Sequence, residues 1–310
     1  MTSRGNEQAL FEPAAGGWLP TALSRGPWSP DALHGGPVAA LLAREVERAG
    51  EPPGDPDGPV LVRLTVELLR PVPFDPLTVR SAVVRPGRKV QLVDVTVRAG
   101  DMEVAWARGL RIRRLADGSW PAPPQVGSPD EAVTPSREGS PGGATAPVGS
   151  PGGAVTSGVE GVPGGESPPA IPGPQEGRPG PGGTDLEPAF HSAGAELRFV
   201  AGGWDVLGPA TVWTRLRVPV VPGESPSGAQ RAAAGADFGN GVSAVVPFDR
   251  WRFINPDLTV VLERPPEGEW VAVQATTNLG APGVGVAQSV LWDQRGRTGT
   301  ATQTLVVEPR

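Results

Sequence analysis

The chain has 310 residues, a net charge of −6 and no cysteine. The acidic balance argues against nucleic acid and anionic lipid as partners, since both attract clustered basic side chains. Without cysteine there is no disulfide, no thiolate zinc site and no cysteine nucleophile, and two histidines, His34 and His191, are too few for a three-histidine metal centre in one chain.

The first residues, MTSRGNEQALFEPAAGG, carry no apolar core behind a basic region, so a secretory signal is not expected. No run of about 18 apolar residues follows, so no membrane span is expected either. The expected location is the cytoplasm. A strand-and-loop lead-in, Phe11–Trp28, precedes a helix predicted over Asp31–Arg48, whose apolar face is Val38, Leu41, Leu42 and Val46. Strands follow at Val62–Leu69, Leu77–Val84, Val90–Ala99 and Glu103–Arg111, most of them with alternating polarity, as in Leu92-Val93-Asp94-Val95-Thr96-Val97. RPGRK, beginning at Arg85, is a turn signal between two of them.

Composition then shifts. The chain holds 44 glycines and 39 prolines, and they crowd the stretch after Asp117, where GSPGGA occurs at Gly139–Ala144 and again at Gly149–Ala154. With almost no large apolar side chain there, burial cannot offset the entropy of ordering, so a disordered linker is expected over 117–185. It separates an N-terminal unit, 1–116, from a C-terminal unit, 186–310.

The second unit repeats the order of the first. A lead-in over Ala195–Val221 comes before a helix predicted over Ser227–Val246, interrupted by Gly239 and Gly241, and a second set of strands follows with a turn signal at DQRGR. Residues 64–71, LTVELLRP, match 258–265, LTVVLERP, at six of eight positions. Gly87–Arg114 runs in step with Gly283–Arg310. A nearly constant offset over so long a stretch reads as duplication. Helix followed by a four-strand meander is an α+β unit, an antiparallel sheet with one face covered by its helix.

Five segments carry a resemblance to a known family. They are His34-Gly35-Gly36-Pro37 at the start of the first helix, the LTVxLxRP strand in both units, RAAAGADFGN at Arg231–Asn240, FINPDLT at Phe253–Thr259 and GTATQTLVV at Gly299–Val307. Together they resemble the double-hotdog acyl-CoA thioesterases of the thioesterase II type, over nearly all of the chain outside the linker. The resemblance implies two tandem hotdog units, each a sheet wrapped around one helix, joined as a pseudo-dimer with a continuous sheet. It implies hydrolysis of an acyl-CoA by water, with no cofactor and no metal. Two such chains could associate further as a homo-oligomer.

The family's catalytic set is an aspartate, a threonine and a glutamine. The aspartate falls on Asp237 and the glutamine on Gln303, while Asn255 stands where the family has threonine. Asp237 would take the proton of the attacking water, and Gln303 and Asn255 would hold the water and the carboxylate. Asp237 occupies a position that is apolar in the first unit, near Leu42, and Gln303 occupies the place of Ala107. His34, Gly35 and Gly36 are expected to bind substrate, their backbone N–H groups facing a ligand at the positive end of the helix. His191 is expected to be structural or exposed, and Arg70 and Arg264, repeated in both units, to cap strands or else to meet coenzyme A phosphates at a tunnel mouth, the first being favoured because both units have them.

No GxSxG elbow and no phosphate loop in a strand–helix setting is present. Two rival functions remain: a hotdog hydratase or dehydratase, and a non-catalytic acyl-CoA or acyl-chain binding protein. Hydratases of this fold place an aspartate beside a histidine, and no histidine lies within ten residues of Asp237, which counts against them. Acyl-chain length, pathway and oligomer count are not legible in the residues.

Overall fold

Fourteen strands form one antiparallel sheet among the residues that the structure, a computed structural model, describes: 8–50, 58–115, 171–181 and 187–310. The first repeat supplies β1 (Phe11–Ala14), β2 (Gly17–Pro20), β3 (Pro59–Leu68), β4 (Leu77–Arg85), β5 (Val90–Ala99) and β6 (Met102–Arg113). The second supplies β8 (Ala195–Ala201), β9 (Ala210–Leu216), β10 (Trp251–Ile254), β11 (Asp257–Leu262), β12 (Val271–Leu279), β13 (Val284–Asp293) and β14 (Gly296–Pro309), with β7 (Arg178–Pro179) ahead of it. Their spatial order is β1-β2-β4-β5-β6-β3-β11-β14-β13-β12-β9-β8-β7, with β10 paired to β14.

The repeats meet through the strand that identified them. β3 pairs with β11 antiparallel, and Thr65 lies opposite Thr259, its own counterpart in the duplication. The two Oγ1 atoms are 3.5 Å apart. This self-complementary register is that of a homodimer interface, written within one chain. It joins the two half-sheets into the continuous sheet that was expected.

The order β4-β5-β6-β3 corrects the expected four-strand meander. Only β4, β5 and β6 form one, and β6 returns to lie beside β3. The segment from β3 to β4 holds Pro71, Pro73 and Pro76 and cannot make a tight hairpin. β3 is thereby left free to pair across the dyad.

Helix α1 (Gly35–Arg48) starts later than the expected Asp31. The preceding residues are engaged elsewhere: Leu33 N–H donates to Val72 O, and Ala32 bridges to Pro73. Val38, Leu41, Leu42 and Val46 are buried, and so are Ala39, Ala40 and Ala43. Up to Ala43 the helix is apolar all round, as befits a segment with neighbours on every side. At its far end Arg111, from β6, donates to the carbonyls of Val46, Glu47 and Ala49 at 2.8–3.2 Å. A buried cation thus satisfies the orphan acceptors at the negative end of the helix.

The second helix is split ahead of the expected interruption, since Gly239 and Gly241 lie inside its second piece, and it ends at Val242 rather than Val246. Helix α2 (Gly228–Ala236) ends, Asp237 and Phe238 make a turn, and α3 (Gly239–Val242) follows. Small residues on α2 let the helices approach closely. A Cβ at Gly36 would stand 2.6 Å from Ala234 O. The helices run antiparallel, since the N-cap of α1, His34, meets the C-cap of α2, Asp237.

The expected linker lies largely outside the described residues. Its described part corrects the boundary: 171–181 belongs to the folded unit. Pro172 O accepts from Trp213 Nε1 at 2.7 Å, Ile171 packs on the Trp213–Ala272–Trp292 cluster, and β7 pairs with β8 at the sheet edge. Pro179 is tolerated there because an edge strand has one unpaired side. Among the described residues no helix is long and apolar enough to cross a membrane.

Candidate active site

Asp237 closes α2 and is 4% exposed. An ionised carboxylate so deep needs partners on every side, and three segments meet it. Asn255, between β10 and β11, donates through Nδ2 to Asp237 Oδ1 at 2.8 Å. Gln303 Nε2 donates to the same oxygen at 3.3 Å. On the other oxygen, Oδ2, His34 Nδ1 lies at 2.8 Å. Gly35 presents its bare Cα to the carboxylate, for a Cβ there would stand 2.7 Å from Oδ2 and 2.9 Å from Oδ1. The acid therefore sits at the negative end of its own helix but against the positive end of α1, which favours its charge.

Local structure explains each placement. Along β14 the burial alternates, and Gln303 falls on the inward face beside Ala301 and Leu305, only 1% exposed. Its amide orientation is set by a neighbour: the Asn240 backbone N–H donates to Gln303 Oε1 at 3.0 Å, so Nε2 must face Asp237. Gly239 leaves space for this, since a Cβ there would be 2.8 Å from Gln303 Oε1. Asn255 is held in turn, donating to Asp257 O at 3.0 Å. The Asn240 side chain donates to Phe253 O at 3.0 Å and to Asn255 Oδ1 at 3.4 Å. Asn240 was not among the expected site residues; the signal available was its place three residues beyond Asp237 in RAAAGADFGN.

A cavity of about 1330 Å³ opens in front of this cluster. Both repeats line it. The first gives Trp28, His34, Gly35 and the 68–72 segment, and the second gives His191, Trp204, Asp237, Asn255 and the wall over 244–256. Gln303 is not in the lining. It grips the carboxylate from behind, away from the cavity. Trp28 packs on Phe248 and Phe253, with ring centroids at 4.7 and 4.9 Å, and makes an apolar wall at one side.

The histidines depart most from expectation. His34 is buried against the rings of Phe190 and Phe238, at 5.1 and 4.9 Å. It is a partner of Asp237 rather than a residue remote from it. The argument from sequence distance therefore fails, because the pair forms across the two repeats. His191 also lines the cavity, its ring stacked on Trp204 at 5.4 Å. Burial, with His34 nearby, lowers its pKa to about 4, so it is neutral at ordinary pH. Of the repeated arginines, Arg264 holds Asp293 with two contacts at 2.5 and 2.6 Å, a structural pair. Arg70 donates to Glu103 O at 2.9 Å and lines the cavity.

Comparison with known proteins gives two family matches. Residues 24–112 match the model described as the acyl-CoA thioesterase N-terminal domain, and residues 166–307 the acyl-CoA thioesterase C-terminal domain. Among solved structures, a hot dog fold protein of unknown function from Alicyclobacillus acidocaldarius aligns over 94% of this chain and 92% of its own at 17% identity, with a TM-score of 0.61. The tesB protein of Mycobacterium avium subspecies paratuberculosis aligns over 89% and 88% at 13% identity, TM-score 0.53. An acyl-CoA thioesterase II from Mycobacterium marinum aligns over 90% of each chain at 14% identity, TM-score 0.52. At these identities the likeness establishes the hotdog fold. No curated protein matches the chain.

Proposed function

The chain belongs to the acyl-CoA thioesterase family, and from that premise we propose that it hydrolyses acyl-CoA thioesters, acting in the cytoplasm, with Asp237 as the base. The observation that carries the reading is a buried carboxylate, gripped by Asn255 and Gln303, at the wall of a large cavity. Two amide N–H donors occupy Oδ1. Oδ2 keeps a lone pair for the proton of a water. That water attacks the thioester carbonyl, and the backbone at the start of α1 stabilises the oxyanion at the positive helix end. Collapse of the tetrahedral intermediate breaks the carbon–sulfur bond and releases acid and thiol.

Asn255 stands in for the family's threonine in fixing the carboxylate. A hydroxyl or an amide can donate to Oδ1, so the exchange preserves the hydrogen bond. The apolar side of the cavity, Trp28, Phe248 and Phe253, suits a fatty or aromatic acyl group.

The test is thiol release from a panel of acyl-CoA esters of graded chain length. Asp237→Asn keeps the size of the side chain and loses the base; kcat is expected to fall by about 100-fold or more with the melting temperature little changed. Equal turnover by variant and parent would remove Asp237 from the mechanism.

One observation favours a second reading. The 2.8 Å His34–Asp237 contact supplies the acid–base pair that hydration of an enoyl thioester needs. Incubation with an enoyl-CoA separates the two: hydration bleaches the enoyl chromophore without free thiol, and hydrolysis frees the thiol.

A further inference from the structure

His34 has two polar neighbours on one nitrogen. The Gly36 N–H donates to Nδ1 at 3.1 Å, and Asp237 Oδ2 lies 2.8 Å from the same atom. An imidazole nitrogen has one in-plane direction, so it accepts or donates but does not do both. With Nδ1 bare, it takes the Gly36 N–H, the ring's proton is on Nε2, and a protonated Oδ2 can donate to Nδ1. With a proton on Nδ1, it donates to an ionised Oδ2. One arrangement of heavy atoms thus accommodates the pair before and after a proton crosses it.

The far side of the ring completes the case. His34 lines the cavity. Its Nε2 hydrogen-bonds to none of the described residues, and it is not among the buried atoms without a partner. It is therefore reachable from the cavity. Phe190 and Phe238, themselves stacked at 5.2 Å, seat the ring. The only other histidine facing the cavity, His191, is neutral at ordinary pH.

We propose that His34 is the acid of the reaction, protonating the thiolate that leaves. The inference rests on the hydrolase reading and deepens it. Asp237 takes the water's proton on Oδ2 as the oxygen adds to the carbonyl. When the carbon–sulfur bond breaks, the electron pair goes to sulfur. The proton held on Oδ2 crosses the 2.8 Å contact to Nδ1, and Nε2–H of the imidazolium so formed gives its proton to that sulfur. The water's proton has entered the pair and one proton has left on the thiol, so the count balances, and exchange with cavity water restores the tautomer. The helix start does two things in this scheme: Gly36 N–H selects the tautomer with a proton on Nε2, and Gly35 lets Asp237 approach.

Leaving-group dependence tests the role. Two thioesters with the same acyl group are compared, one of coenzyme A and one of an acidic aryl thiol such as nitrothiophenol, whose thiolate departs without a proton. His34→Ala and His34→Asn are both used; asparagine keeps an N-cap for α1, so loss of folding in the alanine variant does not decide the matter. The expected result is a fall in kcat of about 100-fold on the coenzyme A ester and a change of only a few-fold on the aryl ester. Equal losses on both esters would mean that His34 merely holds Asp237 in place, and no loss on either would mean it has no part; each overturns the proposal. A parent protein that frees no thiol from either ester instead overturns the hydrolase reading itself.

Discussion

Gly35 has no room for a side chain. Its Cα faces both oxygens of Asp237, and the first atom of any side chain would fall inside van der Waals distance of the carboxylate. Its backbone is ordinary helix, so alanine there costs no conformational strain and should improve helix propensity slightly. The prediction is a separation of effects: Gly35→Ala displaces the carboxylate and lowers kcat by about 100-fold, the scale of a 1 Å misplacement, while the melting temperature stays near that of the parent. A loss of stability matching the loss of rate would show the glycine to be a packing residue only. Asp237 and Gln303 were legible in the sequence because each is polar where the other repeat is apolar. The His34–Asp237 contact was not, because it joins residues far apart in the chain that only the antiparallel helix pair brings together.

The two helix ends treat their carboxylates differently. Where α2 begins, Ser227 caps it as His34 caps α1, and Glu47 in the last turn of α1 faces it. Ser227 Oγ lies 2.8 Å from both oxygens of Glu47, and Gln230 Nε2 donates to it at 2.8 Å. Burial still outweighs these partners and the nearby Arg231 and Arg111, and the pKa of Glu47 is raised above 4.5. The sign follows directly. Between about pH 4.5 and the raised folded value, the native state holds a proton that the unfolded chain has released, so stability falls as pH rises through that window. Glu47→Gln removes the dependence. Its melting temperature should gain on the parent's as pH is taken from 4 to 8, and parallel curves would mean that Glu47 ionises freely in the fold. At this scale strand positions were legible, because alternation and the RPGRK and DQRGR turns are local. Strand order was not, because the pairing of β3 with β6 and β11 depends on partners that no local pattern records. The start of α1 was displaced for the same reason, by bridges to 72–73.

Thr65 opposite Thr259 marks a dyad, yet the molecule is not symmetric about it in chemistry. His34 comes from one repeat and Asp237, Asn255 and Gln303 from the other, so each half holds an incomplete set. Duplication was legible from spacing alone, since a repeated strand that pairs with itself keeps its sequence on both sides, whereas the hotdog fold came from the resemblance of five segments to a known family. The edge contributed by 171–181 was not legible, because proline and glycine dominate its composition and its order comes from Trp213 and β8. A cut in the backbone between 115 and 171 leaves every atom of the site in place but makes its assembly a second-order event. Turnover by such a nicked protein should be proportional to enzyme when concentrated and fall away faster than linearly on dilution, whereas the intact chain stays linear throughout; strict linearity in both would show that the paired halves do not part.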